Sequence, residues 1–343
     1  MAESLSMPKV CIFPVVEGIG GGASFRNKFE AGLKSRGVAV THDPDDSPDA
    51  ILILAGTKNL LPLLRAKKRG VKIVQRLDAI NWVHRKRNTG LKHFIRAEYG
   101  NWNLSIIRAN IATHILYQSE FSKRWWEDWY GDARKPFTIV HNGVDLNIYS
   151  PSANEISSER IRLLVVEGSL GGGYDMGLDN AIALAETLAE KFNFAMELMV
   201  VGKITDEHAA HVQSRARIPI IWQGAVPREK IPEIDRSAHL LFSADINAAC
   251  PNSVIEALAC GLPVVSFDTG ALNELVVGDA GRLVPYGGDP WKLDKPDIST
   301  LADAAVEIIR NRPRFRAGAR AQAEKSLGLD LMTDRYLKFL LES

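Results

Sequence analysis

Residues 245–274, DINAACPNSVIEALACGLPVVSFDTGALNE, constrain this 343-residue chain more than any other stretch. An apolar run at 240–243 leads into a loop, helical spacing opens near Asn252, Gly261 stops it, and a second apolar run covers 263–267. Strand, helix and strand in about thirty residues is the size of one βαβ unit. At the start of such a helix the first amide hydrogens are free and the dipole is positive, so Asn252, Ser253 and the backbone beside them can receive a phosphate. One turn further in, Glu256 can accept hydrogen bonds from two neighbouring sugar hydroxyls. A plainer reading stands beside this one. Ser253 and Glu256 have the S-x-x-E spacing of a capping box, which satisfies the helix's own amides and binds nothing.

The first half of the chain repeats the same alternation. Apolar runs at 10–16, 50–55, 71–74, 113–117 and 138–141 read as strands, with helical spacing at 23–34 and 60–68 between them. Alternation of this kind predicts a parallel sheet covered by helices on both faces. A polar run with turn residues at 141–160 (Asn142, Gly143, Pro151) marks a domain boundary. The pattern then restarts, with strands expected at 161–166, 196–201, 218–222 and 282–284 and helices at 178–192, 301–310 and 329–341. VVEGIGGG from Val15 and VVEGSLGGG from Val165 begin the two halves alike, a weak internal echo. A length of 343 residues fits two α/β domains rather than one core.

Composition narrows the partners. Charged residues are 24% and the net charge is +1, so no global field draws the protein to nucleic acid. Cys11, Cys250 and Cys260 lack metal-ligand spacing and suit a reducing compartment. The start has no basic region followed by an apolar run, and no later apolar run approaches membrane-spanning length. A soluble, cytoplasmic protein is the expectation. The stretch 82–130 is basic and aromatic, with HRKR at 84–87 and SKRWWEDWY at 122–130, and such a surface suits either solvent or peripheral contact with an inner membrane face.

PNSVIEALACGLPVVSFDTGALNELV closely resembles the donor-site segment of the retaining GT-B glycosyltransferases of family 4 (glycosyl transferases group 1), through Glu256, Ala257, Ala259, Cys260, Gly261, Pro263, Val264, Val265, Thr269, Gly270 and Glu274. NGVD at 142–145 with Tyr149 and Pro151 resembles that family's interdomain hinge. The resemblance implies two Rossmann-like domains facing across a cleft: an acceptor-side domain at 1–150, a nucleotide-sugar donor domain at 151–327, and a tail helix at 328–343 returning to the first. It also implies transfer of a hexosyl-type sugar, with retention, from a nucleotide-sugar to a hydroxyl of a glycan, lipid-linked or small-molecule acceptor. Domain closure about the hinge would exclude water. Rival readings are a GT-B-shaped binding protein without turnover, and a nucleotide-sugar epimerase or hydrolase.

Two departures from the family stand out. Its usual diphosphate-holding Arg and Lys correspond here to Ser169 and Met176, within EGSLGGGYDMG. Consecutive glycines can form an anion nest without side-chain charge, so Gly168, Ser169 and Gly172 are candidates, with Lys203 as an added charge; equally, the glycines merely accommodate a longer turn. The first acid of the family's E-x7-E signature is Ala248 here, leaving Asp245, Asn247 or backbone amides to recognise the sugar. Gly20, Gly21 and Gly22 in the first loop suit phosphate or sugar contact or plain turn geometry. They do not form G-x-G-x-x-G, which disfavours a nicotinamide cofactor. In QRLDAINW, Arg76, Asp78 and Asn81 are expected at a strand's carboxyl end, where Asp78 beside Arg76 can orient an acceptor hydroxyl or take its proton, or form a structural pair. No carboxylate and histidine cluster with metal spacing appears, so neither an essential metal nor a cofactor beyond the nucleotide-sugar substrate is expected.

Overall fold

The computed structural model describes residues 7–17, 21–153, 159–170 and 175–342. Contacts divide the chain into two units, the first comprising Met1–Trp82, Gly90–Gly143 and Leu329–Ser343, the second Val83–Thr89 and Val144–Gly328.

The sheet of unit 1 is built from β1 (Lys9–Phe13), β2 (Ala39–Thr41), β3 (Ala50–Ile53), β4 (Lys72–Leu77), β5 (His114–Tyr117) and β6 (Phe137–Ile139), in the order β2-β1-β3-β4-β5-β6 with every pair parallel. Its helices are α1 (Gly21–Ser35), α2 (Leu61–Lys68), α3 (Leu91–Ile106) and α4 (Glu120–Tyr130). AILI of β3 is buried at every position, as a strand covered on both faces requires. β4 runs further than the apolar run at 71–74, because the ladder to β5 continues through Arg76↔Leu116 and Leu77↔Tyr117. Arg76 therefore lies inside the strand and not beyond its end. Trp125 and Trp126 of α4 are core residues.

The sheet of unit 2 comprises β7 (Ile161–Ser169), β8 (Met196–Lys203), β9 (Ile220–Gly224), β10 (Leu240–Phe242), β11 (Val264–Phe267) and β12 (Gly281–Val284), again wholly parallel, in the order β12-β11-β10-β7-β8-β9. α5 (Met176–Phe192), α6 (Asp206–Gln213), α7 (Ile231–Arg236), α8 (Asn252–Ala259), α9 (Leu272–Leu275), α10 (Ile298–Arg310) and α11 (Arg312–Ser326) cover its faces. α8 is buried from Val254 to Ala259 and ends at Gly261, whose φ of 69° is the left-handed conformation that glycine adopts without strain.

The last helix, α12 (Leu329–Leu341), belongs to unit 1. Tyr336 packs against Phe25 and Phe29 of α1, with ring centroids 5.2 and 5.1 Å away. Arg36 holds Asp330 and Asp334 at 2.9 and 2.6 Å. Gly32 lets the two helices close, since a Cβ there would stand 2.8 Å from Thr333 Oγ1.

Candidate functional site

In unit 2 the chain leaves β7 toward β8 on one side and later returns to β10 on the other, so the order reverses between β7 and β10. Open α/β sheets bind ligands beyond the carboxyl ends of the strands at such a point. α5 follows β7 and α8 follows β10, which brings both N-termini to that edge. Neither is closed by the side chain of its N-cap residue: Asp175 before α5 and Pro251 before α8 make no cap hydrogen bond, whereas Ser119, Thr205 and Asp297 cap α4, α6 and α10. The capping box read at Ser253 and Glu256 does not form. α8 starts at Asn252, so Ser253 is already its second residue and Glu256 lies beyond the reach of a cap. Among the described residues the amides at Asn252 and Ser253 thus have no capping side chain from the N-cap position, in the arrangement that attracts an anion.

Glu256 is buried, and its Oε1 accepts from Arg228 Nη2 in the turn before α7. Arg228 also donates to the Tyr149 hydroxyl. Asp235, buried beside them, is held well above the usual carboxylate range, first by desolvation and then by the charge of Glu256. Of these two neighbouring acids, it is Glu256 that has the arginine.

A second pair of acids stands at the strand ends. Glu167, near the end of β7, accepts backbone hydrogen bonds from Ala244 and Asp245, just past β10. Desolvation, and next the charge of Asp245, push Glu167 up to about 8, while desolvation moves Asp245 up to about 6. Glu167 is raised the further of the two, because the charge of Asp245 adds to its own desolvation. Two glycines make this edge tight. A Cβ at Gly177, in the first turn of α5, would lie 2.3 Å from the Ala244 carbonyl oxygen, and one at Gly202 would lie 2.2 Å from that of Glu167. In the loop after β10, Asn247 takes a φ of 61°. Its buried Nδ2 and the buried Oγ of Ser243 have no hydrogen-bond partner among the described residues, and buried polar atoms of this kind are ones that a ligand can satisfy.

The sequence candidates fall as follows. Gly168, Ser169 and Lys203 are exposed at this same edge, with Ser169 paired to Lys203 across β7 and β8. Gly172 and Gly20 lie outside the described residues. Gly21 and Gly22 form the start of α1 in unit 1. Arg76 is buried: Nε donates to Tyr336 Oη at 3.0 Å, Nη2 donates to Asn142 Oδ1 at 2.7 Å, and the guanidinium covers the Phe25 ring at 4.1 Å. Those contacts tie β4 to α12 and α1. Asp78 is exposed just past β4, and its carbonyl oxygen accepts from Ser122 Oγ and Trp126 Nε1, both at 2.9 Å. Sequence reasoning missed Arg228, Glu167 as an acid, and Arg87. Arg87 lies in Val83–Thr89, which clusters with unit 2, and its Nη1 donates to Asp175 Oδ1 at 3.1 Å beside the start of α5. Only the basic run at 84–87 hinted at it.

This architecture is shared with solved GT-B glycosyltransferases. Sucrose-phosphate synthase from Thermosynechococcus elongatus superposes with a TM-score of 0.71 at 13% identity, over 97% of this chain and 98% of that one. The Anabaena protein HepE, in complex with UDP and glucose, gives 0.68 at 15% identity, over 98% and 100%. Within unit 2, residues 162–311 match the family described as glycosyl transferases group 1. Among curated relatives, the Rhizobium meliloti lipopolysaccharide core biosynthesis mannosyltransferase LpsB is 24% identical over 203 residues, 54% of each chain. The D-inositol 3-phosphate glycosyltransferase of Xylanimonas cellulosilytica is 27% identical over 215 residues, 59% of this chain and 50% of that one. The chain thus spans about half the length of the curated relatives it matches.

Proposed function

We propose that the protein is a retaining glycosyltransferase that moves a hexosyl group from a nucleotide-sugar to a hydroxyl of a glycan, lipid-linked or small-molecule acceptor. The observation that carries it is the uncapped N-terminus of α8 at the reversal of strand order, with the buried Glu256 one turn inside the helix. The family match over 162–311 supports it, as do the structural neighbours, of which HepE is described with UDP and glucose. In this proposal the amides of Asn252 and Ser253 stabilise the charge that develops on the departing diphosphate, joined by those opening α5. Glu256, held by Arg228, is the acceptor for ribose hydroxyls. The neutral Glu167 carboxyl can donate a hydrogen bond to an anionic oxygen that a carboxylate would repel. Lys203, exposed at the end of β8, adds a positive charge in this proposal.

The test is incubation of the purified protein with nucleotide-sugars and an acceptor set, following nucleoside diphosphate release and the anomeric configuration of the product by NMR. Acceptor-dependent release with retention is expected, unchanged by a chelator. Release or epimerisation without any acceptor would instead assign a hydrolase or epimerase, and tight donor binding without turnover a binding protein.

A further inference from the structure

The outward face of α3 in unit 1 is apolar, the reverse of what a surface helix of a globular unit presents. Leu91, Ile95 and Trp102 are 76%, 59% and 56% exposed, and Phe94 and Tyr99 are exposed beside them. Positions 91, 95, 99 and 102 recur at three- and four-residue spacing and so line one side of the helix. The opposite side is the buried one, through Ala97 and Asn101. Exposed large apolar residues scattered singly are ordinary, but a continuous stripe along about three turns marks a contact surface.

Charge identifies the occupant. Lys92 and Arg96 are exposed along the flank of the stripe, and Lys58 stands 5.9 Å over the Tyr99 ring near its far half. Glu98 is the only acid of the helix. Leucine, isoleucine and tryptophan on one side with basic residues along the flank is the composition of a helix that lies in a lipid interface, where long basic side chains reach headgroup phosphates. No helix among the described residues is long and apolar enough to cross a membrane.

We infer that α3 is an interfacial docking helix that seats unit 1 on an anionic lipid bilayer, with Leu91, Ile95 and Trp102 in the acyl boundary and Lys58, Lys92 and Arg96 on the headgroups. Sequence had pointed to the whole stretch 82–130, but Trp125 and Trp126 of α4 are core, so the surface is α3.

Co-sedimentation of the full chain with vesicles tests this, comparing pure phosphatidylcholine with a mixture holding about 30% phosphatidylglycerol. Binding to the anionic vesicles is expected, weakened in about 0.5 M salt. Lys92→Gln with Arg96→Gln should lower the partition coefficient about twenty-fivefold, near fivefold for each charge. Ile95→Ser with Trp102→Ser should abolish binding, while unfolding midpoint and nucleotide affinity stay at the parental value because neither residue is in a core. Vesicle binding that survives the Ile95/Trp102 change would overturn the inference. So would absence of binding to either vesicle, including the case where light scattering shows a dimer that the same change dissolves, which would give the stripe to a second copy. Nucleotide titration of the same variants keeps this result separate from the donor-site reading.

Discussion

Glu256 on α8 and Arg228, from the turn before α7, form an ion pair in which the carboxylate is buried and the guanidinium is one-third exposed. Removing one partner of such a pair strands the other. Arg228→Met should destabilise the protein by about 1–3 kcal/mol, below the roughly 3–5 kcal/mol of a fully buried pair because the arginine is partly solvated. Urea unfolding at neutral pH measures it. A change below about 0.5 kcal/mol would show that water compensates Glu256 without the arginine.

Glu167 should make ligand binding pH-dependent. Its folded-state pKa is raised to about 8, so the proton is present below that value and lost as pH rises through it. Loss of the proton puts a second negative charge beside Asp245. Affinity for a nucleoside diphosphate should therefore fall about tenfold from pH 7 to about pH 9, and Glu167→Gln should flatten the profile. Stability follows the same sign: a raised carboxyl favours the folded state at low pH, and that contribution disappears as pH climbs toward 8. Thermal unfolding of the Gln variant should accordingly fall less than the parent over that window. Parallel profiles for the two proteins would count against the pairing.

Gly177→Ala tests how tightly α5 sits against the strand end. The added methyl meets the Ala244 carbonyl oxygen, which is backbone and cannot rotate away. The helix start must shift, at a cost of about 1–3 kcal/mol. Unfolding by denaturant would register that, and nucleotide affinity should drop with it, since the α5 amides move. An alanine variant as stable and as tight-binding as the parent would mean that the edge is more yielding than drawn.

Arg76 separates structural from catalytic roles. Its guanidinium is spent on Tyr336, Asn142 and Phe25. Arg76→Leu should cost about 2–4 kcal/mol through the orphaned partners and lost packing. Tyr336→Phe, which removes only the hydroxyl, should cost about 1 kcal/mol. If Arg76→Leu kept full stability and lost only turnover, the residue would belong to the reaction.

Much of this was legible from local signals. The start of α8 at Asn252, the stop at Gly261 and the strand after Pro263 follow from turn residues between apolar runs, which act within a few positions. Features set by distant partners were not. β4 reads as ending before Arg76 because a charge looks like a strand end, and only Tyr336 and Asn142, far along the chain, make it tolerable inside one. α11 was missed because its buried side is just Phe315, Ala319 and Ala323 on an otherwise charged helix. Glu167 and Asp245 meet only because β7 and β10 are neighbours, which is a matter of strand order. Likewise Glu256 reads as half of a capping box until the helix is seen to begin at Asn252 and Arg228 is found on the carboxylate.

The most direct measurement is calorimetric titration of the full chain with UDP, GDP, ADP, dTDP and their sugars, repeated with Glu256→Gln and with thermal unfolding as a check on folding. The account predicts that one nucleotide series binds and that the variant, while folded, loses at least about tenfold in affinity, the worth of one charged hydrogen bond. Failure of every nucleotide to bind the folded parent, or equal binding by the variant, would contradict it and leave Glu256 and Arg228 as a structural pair.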